Sequence, residues 1–172
     1  MDDADLDLDS RREIYQEIAD APGVHFRELL RRLDYAKGTV QYHLRWLVDR
    51  DLVEAETDGE YTRYYPAHEL APEDKETLSV LRRSYSRELL AHLVAAGPLT
   101  TTELAARVDR SQSTVSWHLS RLHEVGFVEK HRDGRRVEYA LTDRDRLLKL
   151  YTTYSESFTD RLLDNVVDVW NA

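Results

Sequence analysis

Cysteine is absent from this 172-residue chain, which excludes disulfides, thiolate metal centres and cysteine nucleophiles and fits a reducing, cytoplasmic setting. Long apolar runs are lacking too. None approaches the roughly 18 residues that span a bilayer, and the opening MDDADLDLDS is the reverse of a cationic signal peptide. No membrane association is expected. Glycine is scarce at six residues, and none falls in a GxGxxG or phosphate-loop pattern, which argues against a nucleotide-binding α/β architecture. No glycine-framed nucleophile, carboxylate pair or metal-ligand cluster is visible either, so the expectation is no enzyme, no cofactor and no metal.

Lysine is rare: Lys37, Lys75, Lys130 and Lys149 stand against twenty arginines. The formal net charge is −9, of which five units belong to aspartates among the first ten residues and −4 to the rest. Acid excess with lysine avoidance resembles the proteins of salt-accumulating halophiles, in which carboxylates keep the surface hydrated. On that reading, net charge says little about the partner, and the local distribution of charge decides.

What is present is a repeat. A shift of 75 places superposes Leu29 on Leu104, Asp34 on Asp109, Thr39-Val40 on Thr114-Val115 and His43-Leu44 on His118-Leu119. The register continues through Leu47 on Leu122, Val53-Glu54 on Val128-Glu129, Gly59 on Gly134 and Tyr64 on Tyr139. Each copy reads as one folding unit.

In the second copy, residues 86–96 place Leu89, Leu93 and Ala96 at helical spacing before Gly97-Pro98. Thr100 with Glu103 forms a capping box opening a short helix. A turn over Asp109–Ser111 follows, with Ser111 as N-cap. In QSTVSWHLSRLHEV, Val115, Leu119 and Leu122 make one buried stripe, and Gly126 closes the helix. The period then becomes two: Phe127-Val128 enter a strand, Asp133-Gly134 supplies a hairpin turn, and Val137, Tyr139 and Leu141 alternate on the return. The first copy repeats the order, with helices over 11–21, 26–33 and 37–50 and a hairpin turning at Asp58-Gly59; Ser10 with Glu13 caps its first helix. The expected fold is mainly α with small β-hairpin wings: two tandem winged helix-turn-helix domains plus a long C-terminal helix. Its parts are an acidic disordered tail (1–9), a first domain (10–70), a helical connector (71–85), a second domain (86–142) and a dimerisation helix (143–172).

The stretch SQSTVSWHLSRLHEVGFVEKHRDGRRVEYAL, Ser111 to Leu141, resembles the winged helix-turn-helix of ArsR- and MarR-type transcription regulators, with an Arg132-Asp133-Gly134-Arg135 wing. The first copy (AKGTVQYHLRWLVDRDLV) diverges more and has Asp51 where the second has Gly126. The tandem arrangement is similar to regulators found in haloarchaea. The metal-sensing branch of ArsR proteins is not implied, because residues 142–172 contain no histidine and the chain no cysteine.

With the stripe committed to the core, the outward face of the second recognition helix is polar: Ser111, Gln112, Ser113, Thr114, Ser116, Trp117 and Ser120, with Arg121 at its edge. Glutamine pairs bidentately with adenine in the major groove, and short hydroxyls permit close approach. Trp117 reads as a base-edge contact or a packing residue. Lys130, Arg132, Arg135 and Arg136 make a cationic wing suited to phosphates or the minor groove. His43 and His118 read as packing or phosphate-edge residues. The first copy offers Lys37, Thr39, Gln41, Tyr42 and Arg45 on its helix, whereas its wing, with Glu54, Glu56, Asp58 and Glu60 against Arg63, should be repelled by DNA. That half is expected to be an auxiliary reader or to take a protein partner.

Pro72-Glu73-Asp74 open a connecting helix. Its stripe of Leu78, Leu81, Tyr85, Leu89 and Leu93 runs across the junction as one helix or as two broken near Ser84–Ser86. Residues 143–171 read as one amphipathic helix bearing Leu147, Tyr151, Tyr154, Phe158, Leu162, Val166 and Trp170 at 3-4 spacing. In the resembling regulators such a helix pairs two copies on a palindromic site; packing back on the first domain is the competing reading. The expected function is sequence-specific recognition of double-stranded DNA by a homodimeric transcription regulator, with the second copy as main reader. The alternative is a winged-helix protein-interaction module.

Overall fold

A computed structural model describes residues 3–158 of the chain. They form two compact units: residues up to Arg82 together with Glu156–Phe158, and Arg83–Ser155.

The first unit contains α1 (Asp3–Asp20), β1 (Val24–His25), α2 (Phe26–Arg32), α3 (Lys37–Asp49), β2 (Val53–Thr57), β3 (Thr62–Pro66) and α4 (Pro72–Leu81). Ile14, Ile18, Leu29, Val40, Leu44, Leu47 and Val53 build its core, and the sheet order is β1-β3-β2. The second unit repeats this with α5 (Ser84–Ala96), β4 (Leu99–Thr100), α6 (Thr101–Val108), α7 (Gln112–Glu124), β5 (Val128–Asp133), β6 (Arg136–Leu141) and α8 (Arg144–Tyr154). Its sheet order is β4-β6-β5. Leu89, Leu93, Leu104, Val115, Leu119, Leu122, Val128 and Tyr139 are buried there. The offset of 75 carries α3 onto α7 and β1 onto β4 residue for residue.

Local rules explain most boundaries. Thr100 and Glu103 make the reciprocal capping box of α6, and the Ser111 hydroxyl accepts from the Thr114 amide to cap α7. Beyond α7, Gly126 is left-handed (φ 84°), and in the first unit Asp51 takes the matching position at φ 58°. A helix leading straight into a strand needs that reversal, and glycine adopts it without the steric cost a side chain brings.

Several expectations are corrected. The acidic tail is not disordered throughout: α1 starts at Asp3. Ser10 is therefore a buried residue inside α1 and not its cap. The wings are three-stranded, because Val24–His25 and Leu99–Thr100 pair antiparallel with the returning strands; a two-residue strand is too short to show a period. The second hairpin turns one residue later than expected, on Gly134-Arg135, with Asp133 paired to Arg136 and Gly134 at φ 58°. Of the two readings of the junction, the structure takes the broken one: α4 ends at Leu81 in the first unit and α5 starts at Ser84 in the second. Nor is there one helix over 143–171. α8 ends at Tyr154 and tightens into a 3-10 turn at Ser155–Ser157. Leu162, Val166 and Trp170 lie outside the described residues.

Candidate nucleic-acid interface

Val115, Leu119 and Leu122 anchor α7 in the second core, and the rest of the helix is turned outward. At its start the Ser111 hydroxyl lies 2.8 Å from that of Thr114 and 3.1 Å from that of Ser113, so three short hydroxyls cluster around the first turn. Gln112, Ser113, Thr114, Ser120 and Arg121 are exposed, and Ser116 is partly buried. Trp117 is 57 % exposed. It meets His118 edge-on at 4.7 Å, and the Arg121 guanidinium lies 5.0 Å from its ring centroid. More than half of this aromatic is thus left in water, while its remaining surface meets His118 and Arg121. His118 turns inward instead, with its ring 4.2 Å from that of Tyr85. Burial pushes its pKa below the usual histidine value, and the nearby Arg121 and Arg83 act in the same direction.

The wing sorts its charges by strand alternation. Val128, Lys130 and Arg132 point to one face, opposite Leu141, Tyr139 and Val137. As the hairpin leaves the core, the buried valine gives way to two exposed cations. The other face carries Glu129, His131, Asp133, Arg136 and Glu138. There Arg136 is engaged, donating from Nε to Glu138 at 2.7 Å and from a terminal nitrogen to Glu103 at 3.1 Å. Glu103 thus caps α6 and holds the wing at once. Among the described residues, Arg132 and Arg135 have no acid partner, so Arg136 differs from the two arginines with which it was grouped. Its two acid partners, one of them 33 residues away, were not legible in the linear order.

On α3, Lys37, Gln41, Tyr42 and Arg45 are exposed and Thr39 is partly buried. Tyr42, 59 % exposed, occupies the position of Trp117 in the repeat. No side chain caps this helix, since Ala36 stands where Ser111 does. His43, the counterpart of His118, is buried in the first unit. In the first wing, three of the four acids meet cations of their own unit. Lys75 on α4 reaches Glu54 and lies 2.8 Å from Glu56, and Asp58 pairs with Arg63 while accepting from the Ser79 hydroxyl at 3.0 Å. Arg63, only 2 % exposed, donates onward to the Gly23 carbonyl at 2.9 Å. These acids fasten the wing to its own unit.

In α8, Leu147 and Tyr151 are buried within the single chain and Tyr154 is partly exposed, as is Phe158 just past the 3-10 turn. Among the described residues no cluster of three histidines or acids is placed to hold a metal, and no helix is long and apolar enough to cross a membrane.

The chain is similar to known helix-turn-helix proteins. A family model described as an N-terminal helix-turn-helix domain matches residues 8–78, and one described as a helix-turn-helix domain matches 75–131. An uncharacterised HTH-type transcriptional regulator of Methanocaldococcus jannaschii is 30 % identical over 135 residues, covering 78 % of this chain and 34 % of that protein. A second from the same organism is 34 % identical over 80 residues, 40 % of this chain and 20 % of its own length. The chain thus spans about a third or less of these curated relatives. Among solved structures, a possible transcriptional regulator for arsenical resistance is 33 % identical with TM-score 0.37, over 54 % of this chain and 93 % of that one. Overoxidized AbfR bound to DNA is 21 % identical with TM-score 0.40, over 57 % and 78 %.

Proposed function

We propose that this chain, which is a tandem helix-turn-helix protein, is a sequence-specific transcription regulator that binds double-stranded DNA. The observation that carries the reading is the outward face of α7: a glutamine, short hydroxyls and an exposed tryptophan beside Arg121, on a helix whose opposite side is locked into a core. Such a helix fits the major groove with its first turns against base edges. Gln112 and Ser116 read bases, and Ser111, Ser113 and Thr114 approach the backbone. Lys130, Arg132 and Arg135 neutralise phosphates beside the groove or enter the minor groove. Similarity to archaeal HTH-type regulators supports the same assignment. Homodimerisation through residues 143–172 belongs to the proposal and matches a palindromic site; Tyr154 and Phe158 are its partly exposed described members.

The deciding experiment selects duplexes from a random pool with the full chain, then repeats the selection with Gln112→Ala. The expected outcome is an enriched motif that loses information at one adenine in the variant, at a cost of about 1–3 kcal/mol for the bidentate contact. A pool that never enriches refutes the proposal. Sedimentation of the chain with and without its selected site measures the stoichiometry.

A further inference from the structure

In the first unit the indole of Trp46, on α3, carries two guanidinium groups. The Arg11 carbon, from α1, lies 3.7 Å from the ring centroid, and that of Arg50, the C-cap of α3, lies 4.0 Å from it. Attraction to the ring accounts for each contact singly. It does not account for holding two like charges together, which their mutual repulsion opposes. The chain has 33 acidic residues, yet among the described residues no acid pairs with either guanidinium, and Arg11 Nε is buried without a hydrogen-bond partner. Neighbouring arginines behave differently: Arg12 pairs with Asp9, Arg32 with Glu17 and Glu28, and Arg63 with Asp58.

Tyr42, Trp46 and Arg50 follow one another at four-residue spacing and share an edge of α3. The stack therefore continues the surface that carries Lys37, Gln41, exposed Tyr42 and Arg45. The second unit has no counterpart, because the repeat places Ser86, Arg121 and Val125 where the first has Arg11, Trp46 and Arg50. It has exposed wing cations instead. The first wing, residues 53–66, has Arg63 as its one cation, and that residue is buried.

We infer that the Arg11–Trp46–Arg50 stack binds a phosphate of the DNA backbone and is the anchor by which the first unit holds a duplex, in place of a wing. The inference rests on the reading of the chain as a duplex-binding protein. Stacking on a ring fixes the plane of each guanidinium and leaves its N–H edge for bidentate bonds to phosphate oxygens. Continuity with the outward face of α3 favours the backbone of a groove-bound duplex over an acidic protein partner.

The test measures affinity of the full chain for its selected duplex across a salt series, for Arg50→Gln and for Arg11→Gln with Arg50→Gln, with Arg132→Ala alongside. For the double variant the slope of log affinity against log salt should be shallower by about 0.9, the value of one released phosphate, with the preferred sequence unchanged. Arg50 is exposed, so the single variant should keep the wild-type melting temperature and show part of the loss even if the double variant unfolds. A changed slope for Arg132→Ala with wild-type slopes for both stack variants overturns the inference and leaves the duplex-binding reading standing. A wild-type chain that binds no duplex removes both.

Discussion

The division of labour within the second wing makes a quantitative prediction. Arg135 sits at the hairpin tip and Arg132 on its cationic face, both exposed and unpaired among the described residues, whereas Arg136 is already held by Glu138 and Glu103 at 2.7 and 3.1 Å. Each arginine that neutralises a phosphate contributes about −0.9 to the slope of log affinity against log salt. Raising salt fourfold therefore weakens binding about 3.5-fold per contact. Wild type should lose about 12-fold more affinity over that range than Arg132→Ala with Arg135→Ala, because the variant has two fewer contacts to lose. Arg136→Ala removes a charge that two carboxylates already share, so its slope should change by less than half of one contact. Fluorescence anisotropy on one labelled duplex reads all three. Equal slope changes for Arg135→Ala and Arg136→Ala would refute the reasoning, as would a wild-type slope in the double variant.

Three further outcomes follow from the packing. Lys75→Met strands Glu54 and Glu56 side by side, and the chain should lose about 2–3 kcal/mol in urea unfolding, less than a fully buried pair costs because Glu56 is exposed; no measurable loss would show that the wing needs no fastening. Asp51→Gly relieves a left-handed side chain and should stabilise the chain by about 0.5–1 kcal/mol at pH 8. That gain should shrink at pH 5: Asp51 raises the pKa of His68, so the pair's contribution is complete below the ordinary histidine value of 6.5 and disappears as pH rises through the folded-state value. A variant less stable than wild type at pH 8 contradicts this. Burial lowers the pKa of His118 and of His92, so the unfolded chain binds more protons, and stability should be complete above pH 6.5 and decline as pH falls toward the folded-state values. His118→Gln should flatten the thermal-melt profile between pH 7 and 5; an unchanged profile would exclude His118 as a contributor.

Legibility in the linear order tracked the range of the interactions. The capping box at Thr100 and Glu103, the Ser111 cap and the Val115-Leu119-Leu122 stripe join residues a few positions apart, and each was readable. Two-residue β1 and β4 were not, since their existence depends on β3 and β6 lying alongside. Ser10 followed by Glu13 had the spacing of a cap, but the helix runs on through it to Asp3. At the first wing the linear order showed four acids against Arg63, but not that Lys75, some twenty positions on, reaches two of them.

Residue order alone settled the duplication, the succession of helices and hairpins in each copy and the side of each recognition helix that is buried. Those follow from period, caps and turn chemistry, which act over one or two turns of chain. Folding in three dimensions decided which charges remain available. Arg136 is engaged and Arg135 is not; Glu54 and Glu56 are spent on Lys75; Arg11 and Arg50 meet on one indole. Electrostatic partnership falls off with distance in space, and residues tens of positions apart in the chain, 40 for Arg63 and Gly23, become neighbours only once the core has closed.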